Sequence, residues 1–138
     1  MTSTNTDVKV RMISKIVTDG DTLRTDTTAD GIYYKENGTY VLEYDNKEQA
    51  CRTKVVVDVN SVTVIHTGAV ETCMVFKNGY TYNANYGIEY GDIDMQVTTE
   101  RIFVDVDSEG GSIELWYDLL LGGNPSNAKM IIEITNEI

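Results

Sequence analysis

Histidine, proline and cysteine are all scarce in this chain: one His, one Pro and two Cys in 138 residues. A single histidine excludes a zinc site built on several imidazoles, and no Cys-x-x-Cys pair replaces it. No metal or cofactor is therefore expected. Two cysteines far apart in sequence do not make a disulfide framework. Cations are also short, with 11 Lys and Arg against 22 Asp and Glu and a net charge of −11. Such a chain repels phosphate backbones, which argues against nucleic acid, and repels anionic lipid too. The carboxylates are scattered rather than blocked, the pattern of a solvated surface. No apolar run approaches the roughly 18 residues of a membrane span. The opening MTSTNTD lacks the apolar segment of a signal peptide, and the expectation is a cytoplasmic protein with no membrane partner. No glycine-rich phosphate loop, Walker pattern or serine elbow occurs.

A helical period is missing as well. Short alternating apolar runs are instead punctuated by turn signals about every ten residues, the pattern of a barrel or sandwich. Nine tyrosines stand against two phenylalanines and one tryptophan, and Tyr, Val, Ile and Thr all favour strands. Val8, Val10 and Met12 alternate before Asp19-Gly20. Asn37-Gly38 separates Ile32-Tyr33-Tyr34 from Tyr40, Leu42 and Tyr44. Asn-Gly and Asp-Gly tolerate the positive φ of a tight hairpin loop. Gly110-Gly111 and Gly122-Gly123-Asn124-Pro125 read as two further hairpin closures, the proline removing no ladder donor there.

Between these lies His66-Thr67-Gly68-Ala69-Val70-Glu71-Thr72-Cys73. A two-residue loop at Asn60-Ser61 sets Val59 opposite Val62 and Val55 opposite His66. A three-residue loop at Thr67-Gly68-Ala69 then keeps Val70, Met74 and Phe76 on the valine face. His66 falls on the inner face at one rim. Cys73 faces outward, and Cys51 lies on the inner face at the other end of its strand. Further on, Ile93, Met95 and Val97 alternate on odd positions, but Ile102, Val104 and Val106 on even ones. A period of two cannot change phase without an extra residue, so a β-bulge is predicted near Thr98-Thr99-Glu100. The last hairpin directs Ile113, Leu115, Tyr117, Leu119 and Leu121 inward, facing Met130, Ile132 and Ile134. Trp116 and Leu120 point outward, and an outward Trp is either covered or open to a partner.

Chemistry is thinly signalled. The only histidine has no serine or cysteine partner in this register, so no catalytic residue is assigned. Asp105-Val106-Asp107-Ser108-Glu109-Gly110 partly matches a calcium loop, but Trp116 occupies the place of its closing Glu and the flanks read as strands, so a hairpin tip is preferred. Tyr82 and Tyr86 share a face, and with Tyr117 they can offer hydroxyls to a barrel interior, or serve as core tyrosines. Their face depends on the length of the loop at Lys77-Asn78-Gly79, for which three residues are preferred.

Several pieces in order carry a resemblance through almost the whole chain. They are Gly31-Ile32-Tyr33-Tyr34, Tyr40-Val41-Leu42-Glu43-Tyr44, Thr53-Lys54-Val55, Gly68-Ala69-Val70 with Phe76, Tyr86 with Tyr90-Gly91, Thr98-Thr99 with Ile102, and Gly111-Ser112-Ile113 with Tyr117-Asp118. Together they make the chain resemble the YwiB-like family of uncharacterised bacterial proteins. The resemblance implies a calycin-type, lipocalin-like barrel and a cytoplasmic setting, but no activity. That family tends to carry Arg where this chain has His66, a departure that weakens a catalytic role for it.

The expected fold is an all-β, antiparallel up-and-down barrel of about eight to ten strands. A flexible segment, 1–7, precedes one barrel domain, 8–138. The leading expectation is a non-enzymatic barrel binding a small apolar or aromatic ligand, with His66, Tyr82, Tyr86 and Tyr117 as polar contacts. It fails if Met12, Met74, Met95 and Phe76 fill the interior and leave no cavity. The alternative is an interaction module, most simply a homodimer, using Trp116 and Leu120.

Overall fold

A computed structural model describes residues 5–47, 50–88 and 91–136, except for the side chains of 85–88 and 92. The strands are β1 (Thr6–Thr18), β2 (Asp21–Glu36), β3 (Thr39–Asn46), β4 (Cys51–Val57) and β5 (Val62–Gly68). They continue as β6 (Thr72–Phe76), β7 (Thr81–Ile88), β8 (Gly91–Asp107), β9 (Gly110–Leu121) and β10 (Asn124–Asn136). All ten form one antiparallel sheet in the order β6-β5-β4-β3-β2-β1-β10-β9-β8-β7. Each strand pairs with its neighbour in sequence except at one place. β1 instead also pairs with β10, from Val8 with Asn136 to Val17 with Asn127. That ladder rolls the meander into a barrel, and only β6 and β7 meet without one.

The turn chemistry explains the hairpins. Asp19-Gly20 and Asn37-Gly38 have positive φ at both positions (49° and 82°, 51° and 83°), as a type I′ turn requires. Gly122 and Gly123 do the same at 57° and 85°. Pro125 therefore lies inside β10, opposite Leu120, and not in the loop. The expected closure at Gly110-Gly111 also moves. Asp107 pairs with Gly110, so the turn is Ser108-Glu109 and both glycines belong to β9. They are needed for close approach. A Cβ on Gly111 would collide with the Asp105 carbonyl oxygen, and one on Gly110 with that of Ile134.

The β4–β5 register differs from expectation by two residues. Val57 pairs with Val62, Val55 with Val64 and Thr53 with His66. The loop is longer because Asp58 organises it. Its N–H donates to the Ser61 carbonyl at 2.9 Å, and its carboxylate accepts from the Val59 N–H at 2.7 Å. Val59 is left 87% exposed. A shift of two preserves parity, so the inward valines stay inward. The β5–β6 corner is longer than three residues too, since His66 pairs directly with Thr72. Met74 and Phe76 still face the core.

The bulge falls where the phase change places it, between Thr99 and Arg101. On the other edge of β8, beyond the start of β7, the same stretch bonds the turn Lys77–Tyr80, which spans the seam between β6 and β7. The Gly79 N–H donates to the Thr99 carbonyl and the Thr99 N–H to the Tyr80 carbonyl, both at 3.0 Å. The Asn78 side-chain oxygen accepts from the Ile102 N–H at 2.9 Å. Thr99 and Ile102 of β8 thus anchor the seam between β6 and β7, which has no ladder.

Gly111→Ala is expected to cost about 3 kcal/mol or more, because a positive φ and a backbone clash act together. Gly20→Ala, with positive φ but open space around it, is expected to cost about 1 kcal/mol. Urea unfolding of the two variants checks the difference.

Candidate functional site

The barrel interior is divided. One end is solid, with Val8, Val10, Tyr33, Leu42, Val55, Val62 and Phe76 each at most 1% exposed. Tyr33 is anchored there by donating to the Asp107 carbonyl at 2.8 Å. The other end holds a cavity of about 300 Å³. It exists because β3 pairs with β2 only from Gly31 onward. Residues 21–30 of β2 are held by β1 alone, and the wall opens beside them. Small side chains from this stretch and from β1 (Thr25, Thr27, Ser14) border the opening with Asn46.

Four of the five methionines line the cavity: Met12, Met74, Met95 and Met130. They do not fill it. Phe76, expected among them, lies deeper and packs edge-on against Tyr117, with ring centroids 4.9 Å apart. Leu119, Leu121 and Ile16 complete the apolar wall. Among the described residues no Lys, Arg, Asp or Glu lines it.

His66 and Tyr117 both reach this cavity. The His66 ring is 8% exposed. Its Nδ1 is turned to the wall, 2.9 Å from the Thr53 hydroxyl and 3.7 Å from Cys51 Sγ. The Nε2 edge is left for the cavity. Burial holds the imidazole pKa below its ordinary value, favouring the neutral ring. Burial likewise pushes the Tyr117 phenol up to about 12. That hydroxyl makes no hydrogen bond to another described residue. Thr72, opposite His66, is also part of the wall. Its Oγ1 is buried without a hydrogen-bond partner among the described residues.

The other expected contacts lie elsewhere. Tyr82 is opposite Val97 on β8 but stands across the seam, where the Cys73 thiol meets its hydroxyl and raises its pKa. It does not line the cavity. The Tyr86 side chain lies outside the described residues. Trp116 faces outward on β9, but two cations lie over its ring. The Arg101 guanidinium sits 4.0 Å from the ring centroid and Lys129 Nζ 4.8 Å from it. Leu120 is 37% exposed, and Asp118, bonded to Asn127, separates it from Trp116 on the same face.

Sequence reasoning missed Cys51, Thr53 and Thr72. The two-residue slip in the β4–β5 loop had placed Cys51 far from His66. Their proximity does not make an activated pair. Burial raises the Cys51 thiol pKa as it lowers that of the imidazole, so both neutral forms are favoured, the reverse of a thiolate–imidazolium nucleophile.

With this geometry in place, comparison with known proteins gives a family. Residues 10–134 match the family described as "Domain of unknown function (DUF1934)". The chain belongs to that family. It is similar to the "Uncharacterized beta-barrel protein YwiB" of Bacillus subtilis (strain 168), at 28% identity over 119 residues, covering 85% of this chain and 84% of that protein. The crystal structure of that Bacillus subtilis protein superposes with a TM-score of 0.84 at 26% identity, over 97% of this chain and 94% of the other. The DUF1934 barrel is thus established for this chain, and the family's description assigns it no activity.

Two outcomes are expected for this site. His66 keeps a depressed pKa in the folded state, so its contribution to stability is present above the unfolded value of 6.5 and is lost as pH falls through the folded pKa. His66→Gln is expected to flatten the stability profile in that acidic window, read by urea midpoints across pH. Thr72→Val removes a buried, unpartnered hydroxyl and is expected to raise stability by about 1 kcal/mol.

Proposed function

We propose that this protein is a non-enzymatic barrel that holds a small, largely apolar molecule in its interior. The observation that carries this reading is the 300 Å³ cavity lined by four thioethers and open at one end. That volume lies at the lower end of the range of small-molecule sites, roughly 300–1,000 Å³. Methionine is unbranched and polarizable, so a methionine wall adapts to a guest better than a leucine wall. The neutral Cys51–His66 pair supports the non-enzymatic part of the reading. The outer face supports an aqueous setting. It carries ion pairs such as Arg11 with Asp26 and Arg52 with Asp45, where a membrane barrel would show an apolar band. The two free cysteines suit a reducing compartment such as the cytoplasm.

Interaction through Trp116 is the weaker reading, since a partner would have to displace Arg101 and Lys129 from the ring. Trp116→Ala is expected to leave the sedimentation coefficient unchanged; a change of oligomeric state would restore the interaction reading. For the cavity, the neutral fluorescent probe N-phenyl-1-naphthylamine is expected to bind with enhanced emission, one per chain. Thr27→Phe, which places a ring at the mouth, is expected to abolish the enhancement while leaving the circular dichroism spectrum intact. Equal emission from both proteins would mean that the probe binds outside the barrel.

A further inference from the structure

Every charged side chain of the described barrel points away from the cavity, yet the cavity is not uniformly apolar. Its deeper polar groups are the His66–Thr72 pair, facing each other across β5 and β6, and Tyr117 on β9, while Ser14, Thr25, Thr27 and Asn46 border its opening. Thr72 Oγ1 is the one buried side-chain oxygen without a partner among the described residues. Thr72 itself is only 8% exposed. Such an orphan in a wall calls for a partner that the protein does not provide.

We propose that the cavity selects an uncharged amphiphile: a compact apolar ring or chain seated among the methionines, with a hydroxyl or carbonyl oxygen bonded at the His66–Thr72 pair. This deepens the binding function proposed above and rests on it. Where Nδ1 accepts from the Thr53 hydroxyl, the neutral ring carries its proton on Nε2, and Nε2 and the Thr72 hydroxyl can then both donate to such an oxygen. A carboxylate in the same place would be buried without a cation. It would also approach a chain of net charge −11 against the field. An ammonium would be drawn to the surface by that field but would find no carboxylate inside. The preference of the buried imidazole for its neutral form agrees with a neutral guest.

Four probes with one apolar body test the inference: 2-naphthalenemethanol, 2-naphthoate, 2-naphthalenemethylamine and 2-methylnaphthalene, each titrated into the intact protein at pH 7.5 and followed by protein NMR shifts. The alcohol is expected to bind at least about tenfold more tightly than either ion. Thr72→Val is expected to weaken the alcohol up to about tenfold, the worth of one hydrogen bond, while leaving 2-methylnaphthalene unchanged. Binding of the naphthoate or the amine as tightly as the alcohol overturns the inference. So does an alcohol affinity that Thr72→Val leaves untouched. If 2-methylnaphthalene binds and the alcohol gains nothing over it, the cavity is a plain apolar site: the binding function stands and this inference falls. If none of the four binds, both fall.

Discussion

The ladder between β1 and β10 is the contact on which the rest of this molecule depends. Every other pairing joins strands that follow each other along the chain, and such hairpins form locally. The closing ladder brings residues 8–17 against 127–136, a span of nearly the whole sequence. Without it the meander would be two open sheets with no inside. With it, apolar residues at alternate positions share one enclosed volume. Closure also explains the strained places. The bulge at Glu100 gives β8 its bend, and the glycines at 110 and 111 let β9 pass the backbones of β8 and β10 where a side chain would collide.

The price of such closure is paid unevenly along the barrel axis. Where ten strands converge on Tyr33, Leu42 and Phe76, branched and aromatic side chains fill the space. Where β3 turns away from β2, the wall loses a strand and flexible methionines border an opening. A hydroxyl left without a partner at Thr72 lowers stability without serving the fold, and proteins retain such features where function asks for them. The hollow end and the orphaned hydroxyl coincide, which ties the two observations to one site.

The outer surface behaves differently from what its single tryptophan suggests. Trp116 lies between two cations supplied by the neighbouring strands, Arg101 from β8 and Lys129 from β10. Each such contact contributes about 0.5–1 kcal/mol at an exposed site. The ring thus staples three strands together across the sheet. A residue that would read as a docking anchor by itself becomes, in the sheet, a structural bridge.

Much of the barrel was legible because a strand's side-chain period is two. Alternation by itself determined which residues of β1, β4, β5, β9 and β10 face inward, and the clash of odd and even phases located the bulge to the stretch Thr98-Thr99-Glu100. Turn chemistry identified the hairpins at Asp19-Gly20 and Asn37-Gly38, where φ must be positive. Loop length was not legible, because Asp58 extends its loop through hydrogen bonds that no local pattern announces. That error of two residues left Val55, Val57, Val62 and Val64 facing inward but misplaced their partners across the ladder and left Val59 in the loop. The tertiary structure alone decided that Cys51 and Thr53 stand beside His66, that Tyr82 turns to the seam, and that the methionines surround space and do not fill it. Facing is a property of one strand, and a sequence specifies it; neighbourhood and empty volume belong to all ten strands at once, and only their closure fixes them.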